Sequence, residues 1–158
     1  MRSILKSIFA RDESGQALIE LMLTIPLILV ILGGALELAR ISYAAIVVTS
    51  AAKAAVAYGA TNTTTAADSA GIQLAAQSDA SNLPSSAGFN VTVYPLSCVC
   101  RTTTTTTAMA ACSDSCSGYT IETLTVKTNA SMSPLFNFPM FTGKTFNLTS
   151  TVSQEVLY

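Results

Sequence analysis

A long run of apolar residues near the start of the chain dominates its pattern of hydrophobic and polar positions. No residue between Leu21 and Leu36 is charged, and residues 17–19 on the other side of Glu20 extend the run to about 20 residues. At about 1.5 Å per residue, a helix of this length matches a hydrocarbon core of roughly 30 Å. The run therefore predicts a transmembrane helix over residues 17–36.

The helical pattern continues past the apolar run. Apolar and small residues recur at spacings of three and four as far as Ala52, and Gly59 is a natural stop. A cleaved secretory signal would have a shorter apolar core that ends at a small-residue cleavage site. We therefore predict one long helix over residues 16–58, with the membrane-spanning segment as its first half.

Three basic residues precede the apolar run, namely Arg2, Lys6 and Arg11. By the positive-inside rule they keep the N-terminus in the cytoplasm, and the chain after Leu36 is translocated. We therefore predict a single membrane pass, with residues 59–158 outside the cytoplasm.

Beyond Gly59 the composition changes, and the pattern indicates a mixed domain. Residues 66–80 present a small-residue face suited to packing on the first helix, with Thr65 as the predicted N-cap and Asp68 completing a capping box. Polar and apolar residues then alternate, as in strands, over residues 89–96, 119–129 and 145–158. The predicted fold class is α+β, with a long N-terminal helix, a second packing helix and a small antiparallel sheet.

An aromatic and proline-rich segment, residues 131–143, separates the last two strands. This segment is too apolar for a solvated linker. Either it folds back onto the sheet or the first helix, or it forms a contact surface for another subunit.

Four cysteines flank a threonine-rich stretch, at Cys98, Cys100, Cys112 and Cys116. Four thiolates can bind zinc, but these spacings are not those of a zinc ribbon, and disulfides are favoured outside the cytoplasm. If the strands at 95–100 and 118–129 form a hairpin, nested pairing is the natural geometry. We therefore predict the disulfides Cys98–Cys116 and Cys100–Cys112, with the threonine run of residues 102–107 at the tip of a bridged loop.

Composition argues against catalysis and against nucleic acid as a partner. Only 11% of the residues are charged and the net charge is −1, so no basic surface is expected to bind nucleic acid. Histidine is absent, which removes the commonest general base and the commonest metal ligand. No Cys-x-x-Cys motif indicates redox catalysis. We predict a non-enzymatic protein that has no cofactor and binds no metal.

Glu20 raises a separate question, because a carboxylate within an apolar segment is costly and is usually functional or paired. It lies five residues after Gly15, and this spacing behind a basic leader resembles the processing site of type IV prepilins. The resemblance implies cleavage by a prepilin peptidase after Gly15, so that residues 1–15 are a cytoplasmic leader and Gln16 becomes the N-terminus. The freed α-amine of Gln16 is cationic at neutral pH. Glu20 can pair with that amine, or with the amine of a neighbouring subunit.

Residues 14–43 are similar to the start of TadE-like minor pilins of the Tad (tight adherence, Flp) pilus. The shared features are a proline within the helix (Pro26), a pair of glycines at 33–34 and the exit motif Glu37-x-x-Arg40. Pro26 also predicts a kink in the helix, because proline removes a helical hydrogen bond.

This resemblance implies a structural component or assembly initiator of a Tad-type (type IVc) pilus that serves adhesion. Such a protein lies in the bacterial inner membrane and, after assembly, in the pilus. The implied partners are a prepilin peptidase, the major Flp pilin, other minor pilins, the inner-membrane assembly platform and membrane lipid.

Two alternatives stay open: a pseudopilin of a type II secretion system, and a signal-anchored surface adhesin that is never cleaved. A calcium site of clustered carboxylates near the C-terminus would favour the pseudopilin. The C-terminal half of the chain contains only three acidic residues, Asp114, Glu122 and Glu155.

Overall fold

The apolar N-terminal pattern folds as a single helix, α1, from Glu13 to Gly59. The structure, a computed structural model, describes residues 13–135 and 144–157, with side chains described from residue 15 onwards. With 47 residues, α1 is about 70 Å long. It extends a few residues beyond the predicted range of 16–58, and the predicted long N-terminal helix is confirmed.

The described part of the chain divides into two compact units, with the boundary between Arg40 and Ile41. The described part of the first unit is the N-terminal portion of α1. The second unit contains the C-terminal portion of α1 and the helices and strands that follow it. The predicted division into a leader, a long helix and a translocated domain concerns processing and topology, and it remains a prediction.

Two further helices follow α1: α2 spans Thr63–Ala67 and α3 spans Ser69–Asp79. Single 3-10 turns at Ala80–Asn82 and Ser85–Ala87 then lead into the sheet. The predicted second packing helix is therefore present, but it is split into two short helices.

The prediction that Thr65 and Asp68 together cap the packing helix is wrong. Asn62 caps α2, since the Thr65 N–H donates to Asn62 Oδ1 (2.9 Å) and the Asn62 N–H donates to Thr65 Oγ1 (3.1 Å). Asp68 caps α3 by accepting a hydrogen bond from the Gly71 N–H (3.0 Å). The helix is split at Asp68, which is the C-cap of α2 and the N-cap of α3.

Five strands form one antiparallel sheet: β1 Asn90–Val93, β2 Ser97–Arg101, β3 Thr106–Ala108, β4 Tyr119–Met132 and β5 Phe146–Glu155. Val126 of β4 lies opposite both Val93 of β1 and Val152 of β5, so β1 and β5 flank β4 on opposite edges. β2 follows β1 along the same edge of β4, and β3 pairs with the outer edge of β2. The three predicted strand segments are confirmed as β1, β4 and β5. The pattern does not predict β3, because its threonines have no apolar face.

The core lies between one face of the sheet and the C-terminal portion of α1. The inward positions of β4 alternate along the strand and are buried, beginning with Leu124. The facing stripe of α1 is made of small residues such as Ala51 and Ala55, which let the helix lie close to the sheet. Ile72 of α3 completes this layer, and a Cβ at Gly59 would collide with both Leu124 and Ile72.

Candidate functional site

Gly15 and Gln16 lie in the first turns of α1, and both residues are exposed. Apart from its chain neighbours and the backbone of its own helix, no described heavy atom lies within 4 Å of a Cβ built at Gly15. Within the described part of the chain, no side chain therefore covers the backbone at this position. Gln16 and Glu20 are four residues apart, so they lie one turn apart on the same face of α1.

The Glu20 carboxylate differs from the next carboxylate along α1, that of Glu37. Glu20 is exposed and, within residues 13–135 and 144–157, its side chain forms neither an ion pair nor a hydrogen bond. Glu37 is only 7% exposed, and its Oε1 atom lies 3.5 Å from Nη1 of Arg40. Residues three apart are neighbours on a helix, so Glu37 is neutralised locally. Glu20 has no such partner in the described part of its own chain.

Around Glu20 and beyond it, α1 is apolar on every side. From Leu18 to Leu32 each Leu, Ile, Val and Met side chain is exposed, and Ile25 is the least exposed of them at 44%. The Thr24 hydroxyl donates to the Glu20 carbonyl oxygen (2.9 Å), so it is satisfied within the helix. In the described part of the chain, α1 is the one helix long and apolar enough to cross a membrane. A helix that is apolar all round is expected in a membrane or a packed assembly.

Pro26 lies within this apolar stretch, and α1 continues through it. Because proline has no N–H, the helix lacks the hydrogen bond from position 26 to the carbonyl of Met22. The kink that the sequence predicts at this position remains a prediction.

All four cysteines form disulfides, as predicted, but the nested pairing is wrong. Cys98 pairs with Cys112, and Cys100 pairs with Cys116. Cys98 and Cys100 alternate on one face of β2 and are 5% and 8% exposed. The two disulfides therefore interleave along the sequence. Both join β2 to the segment that contains Cys112 and Cys116.

The strand order explains the crossed pairing. β3 runs antiparallel to β2 and ends beside Val99, whereas β4 starts beside Arg101 at the other end of β2. Residues 109–118 must therefore return along β2 in the direction of β2 itself. The first cysteine of this segment then meets the first cysteine of β2, and the second meets the second. Nested pairing would require the segment to run antiparallel to β2.

A carboxylate lies beside the first of these bridges. The Sγ atoms of Cys98 and Cys112 and a carboxylate oxygen of Glu122 all lie within 4.8 Å of one another. These are ligand types that zinc accepts, but the two sulfurs are bonded to each other and are not thiolates. In this oxidised form the three groups are a disulfide with an adjacent negative charge.

The threonine run is divided between a turn and a strand. Residues 102–105 form the turn, in which the Thr102 N–H donates to the Thr105 carbonyl (2.9 Å) and the two hydroxyls lie 2.9 Å apart. Thr106 and Thr107 belong to β3 and are exposed. The predicted loop tip is therefore shorter than the run of threonines.

Two predicted segments fall largely outside the described residues. They are the leader, of which residues 1–12 are not described, and the aromatic segment 131–143, of which residues 136–143 are not described. Both therefore remain predictions.

Comparison with known protein families finds a match that lies within α1. The model of the family described as TadE-like protein matches residues 15–57, a range that begins at Gly15 and stops two residues before the end of the helix. It includes Glu20, Pro26 and Glu37, and it does not extend to the sheet or the cysteines. No curated protein and no solved structure matches the chain. The match covers 43 of the 158 residues, and it shows that the N-terminal helix of this chain is similar to that of TadE-like proteins.

Proposed function

We propose that this chain is a prepilin that is cleaved after Gly15 and then serves as a minor pilin of a Tad-type (type IVc) pilus. Its role is structural, either as a component of the pilus or as an initiator of its assembly, and the pilus serves adhesion. The observation that carries the proposal is the Glu20 carboxylate, which has no described partner in an exposed helix that is otherwise apolar on every side.

The apolar surface of α1 supports a membrane-anchored precursor. A soluble protein would cover so many exposed aliphatic side chains, whereas a bilayer solvates them. The anchor lies in the bacterial inner membrane with its basic leader in the cytoplasm, which places the sheet and its disulfides on the oxidising side.

The position of Glu20 supports processing and assembly. Cleavage after Gly15 creates a cationic α-amine at Gln16, one helical turn from Glu20. Each charge alone costs several kcal/mol in an apolar environment, and pairing offsets much of that cost. When helices of several subunits pack together, the amine of one subunit can reach the carboxylate of the next. Glu20 then sets the axial register between neighbouring helices.

The proposed function implies several partners of the protein. A prepilin peptidase cuts at Gly15, membrane lipid surrounds α1 before assembly, and the major Flp pilin and other minor pilins pack against α1 afterwards. The inner-membrane assembly platform moves the processed subunit from lipid into the pilus.

The test is the substitution Glu20→Gln in the native host, with Glu155→Gln as a control that removes the same charge from the exposed end of β5. We expect Glu20→Gln to be inserted and cleaved, because removing a charge does not hinder insertion of an apolar helix. It should nevertheless fail to co-purify with the major pilin, whereas Glu155→Gln should co-purify as the unchanged protein does. Normal co-purification and normal numbers of surface pili with Glu20→Gln would overturn the proposed role of Glu20.

A further inference from the structure

A polar groove lies on the face of the sheet that is opposite to α1. It has a volume of about 330 Å³ and is lined by side chains from three strands, including Thr92, Tyr94, Lys127, Asn129, Asn147 and Thr149. Lys127 and Asn129 alternate along β4 with the buried residues Val126 and Thr128, so they point away from the core. The volume is at the lower end of the roughly 300–1,000 Å³ typical of small-molecule sites.

Two of the residues that line this groove are asparagines within strands, where asparagine is uncommon. Asn is depleted in strands, yet Asn129 lies inside β4 and Asn147 lies inside β5. Asn129 is opposite Thr149, and Asn147 is opposite Ser131, so the two amides are diagonal neighbours on one face. A local departure from propensity of this kind is typical of functional positions.

The polar groups of the groove are not used inside the protein. In the described part of the chain, the side chains of Asn129, Asn147, Lys127 and Tyr94 form no hydrogen bond or ion pair. Further along the same face, outside the groove, the hydroxyls of Thr125 and Ser153 lie 2.8 Å apart and satisfy each other. The groove therefore presents amide donors and acceptors that have no partner in the described part of the chain and that solvent or a ligand can reach.

The charge and the chemical groups that line the groove indicate which class of ligand it binds. Among the described residues that line the groove, Lys127 alone is charged, so the charge that the lining presents is positive. Tyr94 is 42% exposed and offers an aromatic ring at the edge of the groove. Amides, hydroxyls, a ring and a single ammonium together match a ligand with many hydroxyls, an apolar ring face and a negative charge.

We propose that this groove binds an acidic saccharide. A sugar ring lies against Tyr94, its hydroxyls exchange hydrogen bonds with the amides of Asn129 and Asn147, and its anionic group pairs with Lys127. The proposal concerns the folded sheet alone. It does not depend on cleavage after Gly15 or on assembly, so either proposal can fail without the other.

The test uses the isotopically labelled full chain in detergent micelles, with oligogalacturonate as the acidic probe and a maltooligosaccharide of equal length as the neutral one. We expect oligogalacturonate to shift the side-chain amide signals of Asn129 and Asn147 saturably. Because Lys127 is half-buried and its ion pair would still be partly screened by solvent, the neutral oligomer should bind about fivefold more weakly. The difference should also shrink as salt is added.

Matched variants distinguish binding in the groove from nonspecific binding to the rest of the protein. Lys127→Gln should abolish the preference for the acidic oligomer, and Tyr94→Ala should weaken binding of both oligomers. Lys53→Gln and Tyr119→Ala, which remove the same groups from exposed positions outside the groove, should change neither. Unmoved backbone signals of Ile72 and Ala76, core residues of α3 that lie far along the sequence from every substitution, will show that each variant keeps its core. The proposal is overturned if neither asparagine signal shifts saturably, or if Lys53→Gln has the same effect as Lys127→Gln.

Discussion

The hydroxyl of Thr128 on β4 donates a hydrogen bond of 2.8 Å to the backbone carbonyl of Val48 on α1. Thr128 is fully buried, and the neighbouring inward residues of β4, such as Val126 and Ala130, are apolar. The bond therefore joins the sheet to the helix through an otherwise apolar layer. Because a hydrogen bond is directional and apolar packing is not, this contact fixes where along α1 the sheet lies.

Thr128→Val tests this contact by replacing the hydroxyl with a methyl group of similar size. We expect a loss of about 1 kcal/mol in the free energy of unfolding, the usual net worth of one hydrogen bond. Thr123→Val, on the outer face of the same strand, removes a hydroxyl that forms no hydrogen bond within the described part of the chain, and it should change stability by less than about 0.5 kcal/mol. Denaturant unfolding of both disulfide-intact variants measures the difference, and equal stabilities would contradict the role assigned to Thr128.

The disulfide pairing gives a prediction that does not depend on function. Non-reducing peptide mapping should recover Cys98 linked to Cys112 and Cys100 linked to Cys116, with no free thiol. Replacing either pair with serines should lower the free energy of unfolding by about 2–4 kcal/mol. Recovery of the nested pairs instead would show that residues 109–118 run in the opposite direction along β2.

Glu122 should protect one of the two bridges from reduction. Its carboxylate lies within 4.8 Å of both sulfurs of Cys98–Cys112, so it repels an attacking thiolate and disfavours the thiolate that leaves. We expect Glu122→Gln to speed the reduction of this bridge by glutathione at neutral pH and low salt. Cys100–Cys116 in the same molecule is the internal control. If both bridges speed up equally, the variant has loosened the fold and Glu122 has no specific effect.

Asp68 should make stability depend on acid pH. Hydrogen bonds from the Gly71 N–H and the Tyr58 hydroxyl (2.9 Å) lower the pKa of Asp68 below its ordinary value. A carboxyl group whose pKa is lower in the folded state stabilises the fold above the unfolded-state pKa. That contribution is lost as the pH falls through the folded-state pKa.

The variant Asp68→Asn isolates this effect, because asparagine is an equally good N-cap but does not titrate. We expect the unchanged protein to lose more stability than Asp68→Asn as the pH falls below about 4. Thermal unfolding over a series of pH values makes the comparison. Parallel pH profiles of the two proteins would exclude Asp68 as a source of acid sensitivity.

The long helix and three of the strands could be predicted because each follows from a local period. The uncharged run to Leu36 predicts the apolar half of α1, and the alternation over residues 119–129 predicts β4. The disulfide pairing could not be predicted, because it depends on the direction in which residues 109–118 return. That direction is set by β3, whose threonines carry no pattern of burial.

The candidate processing site could be predicted from the spacing of Gly15 and Glu20, since both residues lie in one short stretch of helix. The groove on the outer face of the sheet could not. Its lining comes from three strands, and Asn129 and Asn147 become neighbours only through the register of β4 against β5. An asparagine that departs from strand propensity is the one signal in the sequence that points to it.

The most direct test of the account is the N-terminal residue of the protein made in its native host, measured by mass spectrometry of the intact chain and of its first peptide. Cleavage after Gly15 predicts a chain that begins at Gln16, with the new amine free, methylated or cyclised. Gly15→Leu should leave the leader attached, because a bulky side chain blocks backbone approach at the cleavage site. A chain that begins at Met1 in cells with an active prepilin peptidase would contradict the account and would favour an uncleaved, signal-anchored surface protein.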